Sequence, residues 1–228
     1  MAAPDRGILY AVAVEREARA VLDAFGASSP PPEPWSVLPI GSRRDGLLIT
    51  GVGKANAAGA TVRCVDPRRH RAVLNVGVCG SLRADLPVRS IVLGTSSVYA
   101  DEGIAEPEGF RTLESMGFPV LEGSDGSFNA DPAIVERWRG DADASGPIAT
   151  VSTCSGTDAS AAEVVRRTGA IAEAMEGAAI AHALARLGAG VGFAELRAVS
   201  NFTGDRASQA WDLDGALARL TKVLGPNR

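Results

Sequence analysis

The sequence predicts an α/β fold, a sheet with helices on its faces. Two observations predict it. Short apolar runs alternate along the chain with segments of helical periodicity, and the runs stay apolar throughout, as strands buried on both faces do. With 228 residues and 46% hydrophobic content there is material for one well-buried core. Residues 1–228 therefore read as a single domain, with no linker and no internal repeat.

Residues 8–14 form the first predicted strand: short, apolar, and β-branched or aromatic at several places. A helix follows over 15–25, with Val21, Leu22 and Phe25 on one face. The SSPPPEP stretch at 28–34 is a loop, because consecutive prolines continue neither element. Residues 47–50 are a strand that runs into GVGKANAA, and a helix follows over 56–65. Strands are predicted over 72–78 and 90–98, whereas 101–130, rich in Gly, Asp and Glu, reads as irregular. Asp131 and Pro132 open a helix, a capping side chain followed by proline at the first helical position. After a strand at 148–152, Ser160 and Glu163 read as the capping box of a helix that Gly169 ends. A short strand at 171–175, a helix at 177–187, the last long strand at 192–200 and a helix at 213–224 complete the order.

Composition excludes several classes. A net charge of −4 argues against a nucleic-acid partner, which usually meets a basic face. The run Arg68, Arg69, His70, Arg71 reads as a solvated turn before a strand. Cys64, Cys79 and Cys154 are odd in number and form no CxxC pair, so neither a disulfide framework nor a zinc site is expected, and a reducing cytoplasm fits. Two histidines, His70 and His182, are too few for a histidine-based metal centre. The apolar run at 8–14 is too short to span a membrane, ends in Glu15 and lacks a basic segment before it, so neither a membrane span nor a signal peptide is expected.

In such sheets ligands collect at strand ends, in loops with small residues. The polar residues at or near predicted strand ends are Glu17, Asn56, Asn75, Asp101, Glu176, Arg197 and Asn201. Each has a plain structural reading. Glu17 sits where helices commonly begin, Asn201 where asparagine caps turns, and His182 reads as a structural histidine. GVGKANAA lacks the GKS or GKT ending of a Walker A loop.

Taken together and in order, AVAVEREA, GVGKANAA, NVGVCGSL, YADEG, EAMEGAAIAHAL and ELRAVSN resemble the purine nucleoside phosphorylases and nucleosidases, the family that includes methylthioadenosine/S-adenosylhomocysteine nucleosidase. The segments span nearly the whole chain, and MEGAA and RAVSN are the most specific. The resemblance implies a three-layer α/β/α fold whose central mixed sheet forms a distorted barrel. It also implies cleavage of an N-ribosidic bond without metal or organic cofactor, a small-molecule nucleoside as the partner, and a homodimer or larger homo-oligomer.

By motif position, Glu17 matches the acid that activates the attacking water, and Arg197 matches an arginine that helps hold the water site. Glu176 matches the residue that binds the ribose hydroxyls, and Met175 the side chain packed beneath the sugar. Cys79 and Gly80 fall in the substrate-binding segment, and the base-stacking loop is expected within 151–157, between Val151 and Thr157. Asn201 falls where adenine-specific nucleosidases carry a proton-donating aspartate. The chemistry agrees: an oxocarbenium-like sugar needs a base for water, a partner for the hydroxyls and a group that receives the leaving base.

Two departures separate hydrolysis from phosphorolysis. The phosphorylases carry an arginine where NVGVCG has Asn75, and the arginine loop after their first strand is replaced here by Glu15 and Glu17. Val78 stands where the adenine nucleosidases usually have a serine near the water. An asparagine amide can donate to O6 and N7 of hypoxanthine, whereas an aspartate would face O6 with repulsion. Asn201, Arg206 and Trp211 before the last helix resemble the futalosine hydrolases within this family. That resemblance implies futalosine as substrate, hypoxanthine as product and a place in menaquinone biosynthesis. The alternatives are an adenine nucleosidase and a catalytically silent nucleoside-binding protein.

Overall fold

The computed structural model describes residues 6–41, 44–107 and 109–225. The first apolar run becomes β1 (Gly7–Val12), buried at every position. It lies between two parallel neighbours, β3 (Asp45–Ile49) and β4 (His70–Ser81). Outside β3, β2 (Val37–Ile40) pairs antiparallel and ends the sheet. On the other side of β4 the sheet continues through β11 (Gly192–Phe202), β5 (Ile91–Tyr99), β9 (Ala144–Thr150) and β10 (Ala172–Ala174). β10 then pairs back, antiparallel, with β4. Strands β4, β11, β5, β9 and β10 thus close into a ring, which leaves no free edge on that side of a nine-stranded mixed sheet. This is the barrel-like α/β architecture the resemblance implies.

The pleat of β1 divides its side chains between two cores. Ile8, Tyr10 and Val12 pack beneath α1 (Glu15–Ala24), α3 (Pro132–Trp138) and α6 (Leu213–Leu224). Leu9 and Ala11 face α2 (Lys54–Cys64) and α5 (Gly177–Leu187). Leu9 and Leu22 are fully buried; each such side chain contributes about 1.5–3 kcal/mol of transfer free energy. α4 (Asp158–Thr168) covers the barrel through Val164. No helix among the described residues is long and apolar enough to cross a membrane.

The predicted elements are present; β2 is an addition to them, and there are three further differences. The helix at α4 is capped by Thr157, not Ser160: Thr157 Oγ1 accepts the Ser160 N–H at 3.1 Å, and Ser160 answers from the third position. Glu163, the other half of the predicted box, instead binds Arg166 at 2.7 Å. Residues 101–130 are not wholly irregular. They hold a hairpin of β6 (Gly103–Glu106) and β7 (Gly109–Thr112), and β8 (Ser127–Asn129), which pairs with β5. Finally, β4 runs on to Ser81, so Asn75 lies in mid-strand rather than at its end.

Candidate active site

Glu17 stands in the first turn of α1, where the helix dipole favours an acid. Its carboxylate turns inward and is only 4% exposed, so it is not a solvated helix start. Oε2 accepts the Ala13 N–H at 2.9 Å and the Val14 N–H at 3.3 Å, and Oε1 accepts the Val78 N–H at 2.9 Å. Three donors fix the group and leave it capacity for one more, such as a water. Burial pushes its carboxyl above the ordinary glutamate range; Arg197 and the Val78 and Ala13 amides pull it down, and Glu176 adds to the rise.

Gly77 explains how this acid fits. A Cβ there would collide with the Glu17 carboxylate and the Arg197 guanidinium, so only glycine lets both groups approach β4. Arg197, projecting from β11, is fully buried and takes up three acceptors. Nε donates to Glu195 Oε1 at 2.7 Å, Nη2 to Glu176 Oε2 at 3.2 Å and Nη1 to the Val78 carbonyl at 3.4 Å. Burial alone would lower its pKa, but the carboxylates of Glu195, Glu176 and Glu17 hold it above the usual arginine range. Glu195 is in turn bound by Asn75 at 3.3 Å and by the Ser97 hydroxyl. Asn75, at the position of the phosphorylase arginine, therefore serves the buried carboxylate that orients Arg197.

Glu176 precedes α5 and is 4% exposed. Its Oε1 accepts the Gly53 N–H at 3.1 Å, and Oε2 accepts Arg197 and the Met175 N–H. The GVG turn and the MEG turn, far apart in sequence, are joined through this one carboxylate.

Glu17, Glu176, Met175, Arg197, Asn201, Cys79 and Gly80 line one cavity of about 270 Å³ at the ends of β4, β10 and β11. Asn201 is 7% exposed; its Nδ2 donates to the Phe202 carbonyl at 2.9 Å and its Oδ1 accepts the Ser200 hydroxyl at 3.0 Å. One amide N–H remains for a ligand, where the sequence reading expected two. Burial pushes the Cys79 thiol up to about 12, so it stays a neutral wall.

The expected base loop contributes through its middle. Cys154, Ser155 and Gly156 line the cavity, but Val151 and Thr157 do not. Val151 is buried in the core beside Val164, and Thr157 is occupied with capping α4. The loop carries no aromatic side chain. Asp101 pins it from outside, accepting the Ser152 and Thr153 N–H groups and pairing with Lys54. Asn56 bonds the Val52 carbonyl and does not reach the cavity. His182 stacks on Phe128 at 5.4 Å and bonds Tyr99 at 3.3 Å, a structural position. Sequence reasoning missed Glu173, which stands on the cavity wall. A charged residue inside the three-residue buried strand AEA was the available signal.

The chain belongs to the Phosphorylase superfamily, whose sequence model matches residues 43–224. Its relatives there are more particular. It is 38% identical over 219 residues to the futalosine hydrolase of Acidothermus cellulolyticus, covering 93% of this chain and 86% of that one. It is 36% identical over 230 residues to the futalosine hydrolase of Streptomyces coelicolor, covering 96% and 93%. The fold is similar to that of an S-adenosylhomocysteine nucleosidase from Streptococcus pyogenes solved with 5-methylthiotubericidin, at TM-score 0.77 and 21% identity over 98% of this chain and 96% of that one.

Proposed function

We propose that this chain hydrolyses the N-glycosidic bond of futalosine, releasing hypoxanthine and the dehypoxanthinyl sugar, and so serves menaquinone biosynthesis. Its likeness to two futalosine hydrolases over nearly its whole length carries the reading. The site chemistry supports it. Glu17, held by three backbone N–H groups, has the room and the raised basicity to take a proton from water. Glu176 keeps one lone-pair direction, on Oε1, for a sugar hydroxyl, and Met175 supplies an apolar floor. The carboxylates around the cavity favour the positive charge that develops on the ribose. Asn201 keeps an N–H for the departing base.

Water is the nucleophile in this reading. Glu17, Glu173 and Glu176 line the cavity, and the buried guanidinium among them, Arg197, is already taken by two carboxylates. A phosphate dianion would meet repulsion there, and the other arginine on the cavity wall, Arg206, is exposed and lies over the Trp211 ring. Futalosine should therefore release hypoxanthine at the same rate with and without phosphate, while methylthioadenosine should be a poor substrate. Chromatography of both reactions tests this. A sugar 1-phosphate product, or preferred adenine release, would overturn it.

The proposal includes a reducing, cytoplasmic setting and a homodimer or larger assembly, the latter from family resemblance. Light scattering giving a single-chain mass at micromolar concentration would remove the assembly.

A further inference from the structure

Glu173 contributes only its charge to the scheme above, yet its place in the cavity is specific. The registers of β10 and β11 on β4 set Glu173 opposite Gly80 from one side and Asn201 opposite Gly80 from the other. Paired residues on adjacent strands project to the same face. Both side chains therefore rise beside the same glycine, on Cα atoms roughly 10 Å apart, two strand spacings. A Cβ built on Gly80 would lie 2.7 Å from the Thr203 methyl, 3.5 Å from Asn201 Nδ2 and 3.6 Å from Glu173 Cγ. The Thr203 methyl packs over Gly80, with the Asn201 amide on one side and the Glu173 carboxylate on the other, and Gly80, Asn201 and Glu173 all line the cavity.

The state of Glu173 completes the picture. It is 5% exposed, and both oxygens are held by one residue: Ser155 N–H donates to Oε1 at 2.8 Å and Ser155 Oγ to Oε2 at 2.7 Å. Burial raises its pKa and Asp101 adds to this, while the two Ser155 donors favour the ionised form. Two lone-pair directions of an ionised carboxylate stay open.

We propose that Glu173 is a second base-reading residue, accepting the N1–H of a 6-oxopurine held between it and Asn201. The chemistry is selective in both directions. A 6-oxopurine presents acceptors at N7 and O6 and a donor at N1; the amide of Asn201 answers the first and the carboxylate of Glu173 the second. A 6-aminopurine has a bare lone pair at N1, which would face the carboxylate. This inference rests on the futalosine reading and assigns part of its base selection. A purely structural alternative exists, in which Glu173 only anchors the 152–156 loop through Ser155.

The test is the ratio of kcat/KM for futalosine to that for aminodeoxyfutalosine, in wild type and in Glu173→Gln. The amide is nearly isosteric, and it removes the charge behind the bond. The ratio is expected to fall roughly 10- to 100-fold, the worth of one hydrogen bond to a charged group. An anchoring role would lower both substrates alike and leave the ratio unchanged, which would overturn the inference. A wild-type measurement decides if the variant does not fold. Free hypoxanthine should inhibit wild type about tenfold or more better than 1-methylhypoxanthine, which lacks the N1–H; equal inhibition would overturn the inference. Wild type that fails to cleave futalosine would instead remove the functional reading itself.

Discussion

Glu17→Gln is expected to lower kcat for hypoxanthine release by roughly 10²- to 10⁴-fold, the usual worth of a general base. The glutamine oxygen can accept from some of the amides that now hold the carboxylate, but the new NH₂ cannot accept, so one of the Ala13, Val14 and Val78 N–H groups loses its partner. Some loss of stability is therefore expected with the loss of rate, of about 1–3 kcal/mol for one buried unpaired donor. Substrate affinity should change far less than kcat, because the amide keeps the shape of the wall. The pH profile gives a second check. The base works when deprotonated, and burial raises its pKa, so wild-type activity should decline on acidification from a higher pH than an ordinary glutamate would give. Near wild-type turnover in the variant would return Glu17 to a helix-start role. The three backbone bonds are compatible with that role, which is why turnover and not structure decides.

Those bonds also show what the sequence can and cannot disclose. A glutamate two residues into a helix is legible as a helix start, but the inward turn of its side chain depends on Gly77, sixty residues away, leaving room beside β4. Elements with a strong local signal are read well. α5 is found at its true bounds because a run of apolar residues stops at Gly188, which adopts the left-handed conformation that ends helices. β2 escapes notice because it is a short, half-exposed outer strand containing Pro39, paired on one side with β3. The β6–β7 hairpin is mostly exposed and lacks an apolar run. The same contrast holds at the site. Glu17, Glu176, Arg197 and Asn201 stand in recognisable segments, and the fold brings them to one cavity. Val151 and Thr157 mark the ends of a loop whose middle faces that cavity, a distinction set by the burial of Val151 in the core and the Thr157 cap rather than by composition. Glu173 needs the closure of β10 onto β4 before its proximity to Asn201 exists at all.

Asn201→Asp should invert base preference rather than simply reduce activity. In the native site the amide spends one N–H on the Phe202 carbonyl and its oxygen on the Ser200 hydroxyl. The remaining N–H is the group available to O6 or N7. A carboxylate in its place can still accept from Ser200, but it meets two acceptors it cannot serve, the Phe202 carbonyl and the substrate O6. The first clash lowers activity on every substrate, through local rearrangement or uptake of a proton. The second falls on 6-oxopurines alone, because the N6 amino group of an adenine can donate to the carboxylate. Absolute rates therefore mix the two effects, and the ratio of kcat/KM for futalosine to aminodeoxyfutalosine separates them. That ratio should fall by about 10²-fold or more, since a site built around a hydrogen bond discriminates strongly against a partner that cannot complete it. The gain on the amino substrate should stay modest while Glu173 remains, because its carboxylate would still oppose the bare N1 of adenine. Combining Asn201→Asp with Glu173→Gln should then shift the ratio further than either change alone, and with coupling, as expected of residues that grip one base. A ratio that Asn201→Asp leaves at the wild-type value would move base selection to another residue and reduce Asn201 to a turn cap at the end of β11.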